Sequence, residues 1–217
     1  MYVPKHHQQN EREAIFALIE SHPLGVWVCH PGAGLVANHV PFFLDRTRGP
    51  HGTLMGHVAR ANSVWQQLTP GTPSVITFQG PQAYITPGWY PGKVEHGKVV
   101  PTWNYAVAHA HGIARVTDDR DWMLDMLHRL TNAQEASRAL PWRVDEAPAD
   151  FIDKLMRAIV GIEIPIERLE GKLKVSQDED LQDRHGTVAG LRATQGLHSD
   201  TMAELVLKAI VDDVSQS

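Results

Sequence analysis

Short apolar runs separated by turn residues fill the first half of the chain and predict β-strands. The clearest pair, residues 25–29 and 35–44, flanks a Pro-Gly-Ala-Gly turn at 31–34 and predicts a β-hairpin. Pro41 interrupts the second strand and predicts an edge or a bulge there, because proline has no N–H group for a sheet ladder. Similar runs predict strands at residues 53–55, 74–78, 82–86, 104–116 and 158–169.

Apolar residues at helical spacing appear mainly outside this strand-rich region. They predict helices at residues 10–22, 119–130 and 148–156 and over most of 178–217. Thr201 to Glu204 has the pattern of a capping box that opens a terminal helix. We therefore predict an α+β fold with one β-rich domain, 1–177, flanked by helices. A helical C-terminal appendage, 178–217, is expected to pack on the same domain.

The segment Val100 to Tyr105 leads into one of the predicted strands and carries the triplet Trp103-Asn104-Tyr105. It offers a flat apolar face, an amide and a phenol, which suits a flat heteroaromatic ligand. A strand whose aromatic residues fill the core is an equally good interpretation of this segment alone.

A second candidate site lies in Gly56 to Asn62, where a strand, a glycine and a helix start are expected to follow one another. The free N–H groups of a first helical turn favour a phosphate, and the guanidinium of Arg60 would complete the site together with His57 and Asn62. The alternative interpretation is that Arg60 lies on a solvated helix face.

The composition is that of an ordinary globular protein of 217 residues, with a net charge of −5 when histidine is neutral. No apolar run is long enough for a membrane span, and the N-terminal residues do not resemble a signal peptide. Cys29, the single cysteine, fits a reducing compartment and is predicted to be a buried strand residue. We therefore predict a cytoplasmic protein with no membrane partner.

Other chemistry finds little support in the sequence. His109 and His111 lie on one side of a strand, but no familiar ligand spacing surrounds them, so no metal site is predicted. No nucleotide-binding glycine motif or nucleophile motif occurs. Only Tyr105, His109 and His111 are candidates for an acid or base, so the catalytic residues are left unassigned. A helix-turn-helix within 178–214 is not favoured, because the net charge is negative and no basic helix occurs.

Six sequence words, in order, resemble the PaiB-type family, the FMN-binding negative transcriptional regulators. They are Met1-Tyr-Val-Pro4, Ala37-Asn-His-Val-Pro-Phe42, Gly56-His-Val-Ala-Arg-Ala-Asn62, Phe78 to Tyr90, Val100 to Tyr105, and Glu170 to Gln177. The chain departs from the family pattern at Gly88, where serine is usual, at Val175, where leucine is usual, and at Asp178-Glu179, which replaces a frequent Asn-Arg.

The resemblance implies a split β-barrel related to the pyridoxamine-phosphate oxidases, with FMN near the interface of a homodimer. It implies that a strand and the helix start after the next strand hold the FMN phosphate, and that a residue on a later strand contacts the isoalloxazine ring. Lys172 and Lys174, which share one face if extended, complete the predicted set. The predicted contacts are Asn38, His39, Val40, Pro41, His57, Val58, Arg60, Asn62, Trp103, Asn104, Lys172 and Lys174.

The family name implies a negative transcriptional regulator, although this chain is not expected to contact DNA unaided. The fold relatives imply the alternative, a flavin-dependent oxidoreductase such as an NAD(P)H:flavin reductase or a pyridoxamine-phosphate-oxidase-like enzyme. A bound flavin supplies the redox chemistry itself, so the protein need only bind and orient it.

Overall fold

The computed structural model describes residues 1–32 and 34–216, with the backbone only at Val214 and Gln216. The predicted turn at 31–34 includes Ala33, which lies outside the described residues, as does Ser217. Nine strands are described: β1 Gln8–Gln9, β2 Leu24–Cys29, β3 Val36–Pro41, β4 Phe43–Asp45, β5 Thr53–Ala59, β6 Pro73–Ile85, β7 Thr102–Ile113, β8 Arg115–Thr117 and β9 Ile159–Lys174.

Seven α-helices are described: α1 Arg12–Ser21, α2 Val64–Gln67, α3 Gly92–Glu95, α4 Arg120–Glu135, α5 Ala149–Met156, α6 Leu181–Ala193 and α7 Ser199–Gln216. Short 3-10 turns cover Lys5–His7, Pro87–Trp89 and Val144–Glu146. None of these helices is both long and apolar enough to cross a membrane.

The strands form one sheet in the order β3-β2-β6-β7-β9-β5-β4, with β1 and β8 also paired to β9. The fold is an α+β split β-barrel flanked by helices, as predicted. The edge position predicted from Pro41 is confirmed, because β3 is the first strand of the order and pairs with β2, where Leu24 is opposite Pro41. The predicted burial of Cys29 on a strand is also confirmed, and burial raises the pKa of its thiol.

Several element boundaries differ from the prediction. The helix start expected after Gly56 is wrong, because β5 continues to Ala59 with His57 opposite Gly161 of β9. The two strands expected around Gly80-Pro81 are one strand, β6. The last strand extends to Lys174, and the terminal helix begins at Ser199, before the predicted capping box. In β5, the ladder offered by β9 outweighs the local helical pattern.

The chain divides into two compact units. Unit 1 comprises Met1–Leu18, Gln79–Ala108 and Glu170–Ser217, and unit 2 comprises Ile19–Phe78 and His109–Leu169. The predicted boundary between residues 177 and 178 stays a prediction.

The core of unit 1 is built where α6 and α7 pack with the end of β6 and the 3-10 turn at Pro87–Trp89. Its buried residues are Ile85, Tyr90, Val175, Val188, Leu191, Met202, Ala203, Val206 and Ile210. Two glycines of α6 make this packing possible. A Cβ on Gly190 would lie 2.1 Å from the Trp89 ring, and one on Gly186 would lie 2.1 Å from the Trp89 carbonyl oxygen.

The described part of unit 2 has a buried tryptophan between two strands and a buried cluster of methionines. Between β2 and β6, Trp27 is fully buried and its indole N–H donates to Ser74 Oγ at 2.9 Å. Beneath α4 and α5, four buried methionines pack with surrounding aromatic and aliphatic residues: Met55, Met123, Met126 and Met156. Unbranched methionine side chains fill irregular gaps, which suits the junction of two helices with β5.

Candidate functional site

In unit 2, strands β3 and β5 approach each other closely at Gly56. A Cβ on Gly56 would lie 3.1 Å from the carbonyl oxygen of Pro41 and 3.0 Å from the Val40 side chain. A Cβ here would require neighbouring atoms to move by a few tenths of an ångström, so glycine permits the close contact. Two segments that the sequence assigned to one ligand site, 38–41 and 57–62, are therefore neighbours in the structure.

A hydrogen bond between two amides joins these segments. Asn62 Nδ2 donates to Asn38 Oδ1 at 2.7 Å, and Asn62 Oδ1 accepts from the Val64 N–H at 3.0 Å. Asn38 Nδ2 is buried and has no partner among the described residues. Buried polar atoms are nearly always hydrogen-bonded, so an unpartnered amide in a neighbourhood of polar groups indicates a place for a ligand acceptor.

His57 is the second polar group of this site that has an unsatisfied atom. Its Nδ1 is buried without a partner in the described part of the chain. Burial lowers the pKa of His57, so the ring is neutral at physiological pH and one of its nitrogens carries a proton. His57 can therefore donate or accept one hydrogen bond to a ligand without bringing a charge.

The other predicted residues of β3 and β5 have different surroundings. Val40 and Val58 are buried and belong to the core. His39 and Pro41 are exposed on the edge strand β3. Of these four residues, only His39 brings a side chain that can hydrogen-bond a ligand.

Arg60 follows β5 directly and is extensively bonded. Its guanidinium donates to Asp118 Oδ2 at 3.0 Å, to the Arg157 carbonyl at 2.8 Å and to the Ile159 carbonyl at 2.9 Å. The hydrogen bond from Arg60 lowers the pKa of Asp118. In this arrangement Arg60 ties the end of β5 to the start of β9, and a phosphate would have to replace Asp118 as its anionic partner.

A cavity of about 220 Å³ lies beside Arg60 in unit 2. Two methionines of the buried cluster, Met123 and Met156, line it. Its charged lining residues are Arg60, Arg120, Arg157, Asp118, Asp119 and Asp153. Three positive and three negative side chains leave the lining without net charge, so the cavity does not by itself select an anion.

In unit 1, Trp103 and Asn104 occupy different environments on β7. Trp103 is 49% exposed, and its indole N–H donates to Gln82 Oε1 at 3.0 Å. Asn104 is fully buried, its Nδ2 donates to Ser176 Oγ at 2.8 Å, and its Oδ1 has no partner among the described residues. Successive side chains of a strand point to opposite faces, so Trp103 is exposed where Asn104 is buried. The exposed ring of Tyr84 lies edge-on to Trp103, with ring centres 6.0 Å apart.

Lys172 and Lys174 lie at the end of β9, and both ammonium groups contact residues of β7. Lys172 Nζ is 5.1 Å from the centre of the Tyr105 ring. Lys174 Nζ donates to Thr102 Oγ1, and lies 3.4 Å from the Trp103 carbonyl oxygen. Both lysines bring positive charge to the strand that carries the exposed Trp103, and this combination suits an anionic ligand with a flat ring.

Sequence reasoning assigned no role to Ser176 and Tyr2, which complete this part of unit 1. Ser176 is buried with a left-handed φ of 62° and holds Asn104. The Tyr2 carbonyl accepts from Lys172 Nζ at 3.4 Å. Both residues belong to words that carry the family resemblance, which was the signal that could have identified them.

Three residues were candidates for an acid or a base: Tyr105, His109 and His111. His109 and His111 have ring centres 6.3 Å apart in unit 2, so they do share a neighbourhood. Tyr105 contributes its ring to the Lys172 contact described above. The geometry assigns none of the three a role as acid or base.

Comparison with known proteins places the chain in a family. The family model described as "Putative FMN-binding domain" matches residues 1–168. The chain belongs to this FMN-binding domain family, and it is of the PaiB type. The protease synthase and sporulation protein PAI 2 of Bacillus subtilis is 27% identical to it, covering 95% of this chain and 96% of that protein. An uncharacterized protein of Emericella nidulans is 32% identical, covering 88% and 90%.

Solved structures agree on the fold. A FAD and heme binding protein from Mycobacterium smegmatis has a TM-score of 0.58 at 18% identity, covering 85% of this chain and 80% of that one. A flavocytochrome from Azotobacter vinelandii has a TM-score of 0.56 at 13% identity, covering 80% and 72%. At these identities the likeness concerns the split-barrel fold alone.

Proposed function

We propose that this member of the FMN-binding domain family binds FMN. The observation that carries the proposal is Asn38 Nδ2, which is buried without a partner among the described residues, in an amide that Asn62 holds in place. FMN presents phosphate, hydroxyl and ring-carbonyl oxygens, all of which accept hydrogen bonds. The donor chemistry of the site residues, amide groups, a neutral imidazole and two ammonium groups, fits such a ligand.

Each set of residues is taken in its own unit and is proposed for FMN contacts because of its chemistry. In unit 2, Asn38 Nδ2 and His57 are the donors to ligand oxygens, and Arg60 would contact the phosphate by exchanging Asp118. In unit 1, Lys172 and Lys174 provide positive charge and Trp103 an aromatic face. Bound FMN would supply electron transfer, and these residues bind and orient it.

We further propose that the protein acts as a regulator of the PaiB type and not as a turnover enzyme. The resemblance to that family and the match to the Bacillus subtilis relative support this role. The net charge of −5 argues against unaided contact with DNA, since phosphate contacts supply much of such affinity. We propose a cytoplasmic homodimer; light scattering that gives the mass of a single chain, with and without FMN, would overturn the dimer.

Flavin binding is tested by titrating the purified full chain into FMN and following flavin fluorescence. Saturable quenching with one FMN per chain is expected. Lys174→Met should weaken binding about tenfold because a charged contact is lost, whereas Lys208→Met, at an exposed lysine on α7, is the matched control. Unchanged fluorescence throughout the titration would overturn the proposal.

A paired measurement separates the regulatory role from the redox alternative. NADH or NADPH oxidation by the FMN-loaded protein should not exceed the rate with free FMN. A salt-sensitive shift of the DNA upstream of its own gene, in the presence of cellular partner proteins, supports the regulator. Turnover well above the free-flavin rate would instead establish the oxidoreductase.

A further inference from the structure

A cluster of two histidines and one carboxylate lies in unit 1. One ligand atom from each of His6, His7 and Asp178 lies within 4.8 Å of the other two. We propose that this cluster binds a divalent transition-metal ion of the zinc type. None of the three ligands is among the residues proposed to bind FMN, although the charge of Lys174 acts on His7. Zinc binding and FMN binding are measured separately, so the failure of one proposal is distinguishable from the failure of the other.

The local fold explains why these side chains meet. The 3-10 turn Lys5–His7 presents two consecutive imidazoles, and β1 directly after it pairs with β9 through Gln8 and Lys172. At the far end of β9, the left-handed φ of Ser176 turns the chain sharply. Asp178 therefore comes next to the N-terminal turn, and the pairing of β1 with β9 fixes the approach.

Gln177 orients one of the proposed ligands. Its side-chain oxygen lies 3.1 Å from His7 Nδ1 and accepts from the Val175 N–H at 2.7 Å, while its Nε2 donates to the Leu173 carbonyl oxygen at 2.6 Å. A proton on His7 Nδ1 makes this hydrogen bond and leaves Nε2 free as a metal ligand. Metal-binding histidines usually have such a partner on the second ring nitrogen, because it fixes the tautomer and the ring plane.

Burial divides the cluster into a fixed part and an accessible part. His7 is only 4% exposed, whereas His6 and Asp178 are exposed. Ligand atoms around a tetrahedral zinc ion are about 3.4 Å apart, because each bond is roughly 2.1 Å long. The two exposed side chains can move the remaining distance toward the ion, and His7 supplies the rigid position.

The donor set indicates which ion is bound. Two imidazole nitrogens and one carboxylate oxygen suit zinc and its neighbours in the first transition series, whereas calcium and magnesium prefer sites made of oxygen alone. Three protein ligands leave a fourth position for water. Sequence patterns predicted no metal site because the partners come from distant segments, as the 170 positions between His7 and Gln177 illustrate.

The experiment uses the full chain without an affinity tag, stripped with a chelator and then titrated with Zn²⁺ in competition with a chromophoric chelator. One tight Zn²⁺ equivalent per chain is expected. His7→Ala, His6→Ala and Asp178→Asn should each weaken it tenfold or more, because each removes one of three ligands. His185→Ala, at an exposed histidine of α6, is the matched control and should bind as the wild type does.

Two further measurements distinguish loss of the metal site from loss of the fold. Circular dichroism of the stripped variants shows whether each still folds, and Asp178→Asn is nearly isosteric, so loss of binding in a folded Asp178→Asn protein supports the site. Addition of Zn²⁺ should raise the melting temperature of the wild type but not that of Asp178→Asn. Absence of a tight equivalent, or equal loss in His185→Ala, would overturn the proposal, since the 13 histidines would then bind zinc without a defined site.

Discussion

Asn62 donates a side-chain hydrogen bond to Asn38 Oδ1 at 2.7 Å, and this contact decides which way the Asn38 amide faces. Because the oxygen of Asn38 accepts this bond, its NH₂ group is the part that stays buried without a partner in the part of the chain that the structure describes. Asn62 itself is fixed by the Val64 N–H, which donates to its oxygen at 3.0 Å. A ligand acceptor thus meets an amide that is oriented before binding, which lowers the entropic cost of binding.

Two variants of Asn62 should separate its effect on the orientation of the Asn38 amide from its effect on the stability of the fold. Asn62→Ala loses two hydrogen bonds and should lower the free energy of unfolding by about 1–2 kcal/mol, measured by urea titration. Asn62→Asp keeps the acceptor for the Val64 N–H but cannot donate to Asn38, so the Asn38 amide should turn around and FMN affinity should fall while most of the stability remains. Gln66→Ala, at an exposed residue of α2, is the control. Wild-type FMN affinity in Asn62→Asp would contradict the assigned role.

If a phosphate replaces Asp118 as the anionic partner of Arg60, variants of these two residues should differ in their affinity for FMN. Arg60→Ala should weaken FMN binding about tenfold, because a charge-assisted contact to the phosphate is lost. Asp118→Asn should not weaken it, because the competing anion is removed and the guanidinium stays. Fluorescence titration measures both.

Arg120→Ala is the matched control for this pair, since Arg120 lines the same cavity and is bonded to Asp153. A melting temperature measured for each variant shows how far Arg60 also stabilises the start of β9. If Arg60→Ala melts earlier but binds FMN as the wild type does, the contribution of Arg60 is structural only.

Two glycines of α6 should respond differently to the removal of one tryptophan side chain. In an exposed helix, Gly→Ala stabilises by about 0.5–1 kcal/mol, but Gly190→Ala and Gly186→Ala should each destabilise by about 3 kcal/mol because the new methyl group overlaps Trp89. Trp89→Ala should relieve the overlap at Gly190, which involves the ring, and not at Gly186, which involves the backbone carbonyl. Urea unfolding of the single and double variants measures this coupling.

Ala189→Leu provides the control for these glycine variants, because position 189 is exposed on the same helix. It should leave the free energy of unfolding nearly unchanged. Equal rescue of both glycine variants by Trp89→Ala would show that α6 packs differently from the arrangement described.

The buried carboxyl group of Asp45 should make a pH-dependent contribution to the stability of the fold. Burial would raise its pKa, but hydrogen bonds from Thr47 and the charges of Arg129 and Arg48 outweigh burial and lower it below the usual 3.8. The Arg129 contact is 3.0 Å long. A carboxyl group with a lowered pKa stabilises the fold above 3.8, and this contribution is lost as the pH falls through the pKa of the folded state.

Asp45→Asn tests this directly. It should cost about 1–2 kcal/mol at neutral pH, because the Arg129 pairing is lost while the Thr47 contacts can persist. The difference from the wild type should shrink as the pH falls below 3.8. Urea unfolding across this range checks it, with Asp125→Asn as the control at an exposed partner of the same Arg129. A constant difference at all pH values would show that ionisation of Asp45 is not responsible.

Features that depend on neighbouring residues could be predicted from the sequence. The apolar runs identified the β2–β3 hairpin and the position of α4 and α5, and Pro41 indicated the edge strand, since proline cannot complete a ladder. The burial of Cys29 followed from its place in an alternating strand. The words around Asn38, Gly56, Trp103 and Lys172 were sufficient to place the chain in its family and to choose candidate site residues.

The partners of those residues depend on contacts that form when the chain folds. Asp118 binds the guanidinium of Arg60. The stretch that was expected to begin a helix is instead part of β5, because it pairs with β9. Asn104 is buried against Ser176 while its neighbour Trp103 is exposed, and His7 meets Gln177. In each case the partner is distant in sequence, so its hydrogen bonds and charge act only after the chain has folded. A pattern of neighbouring residues therefore cannot predict these contacts.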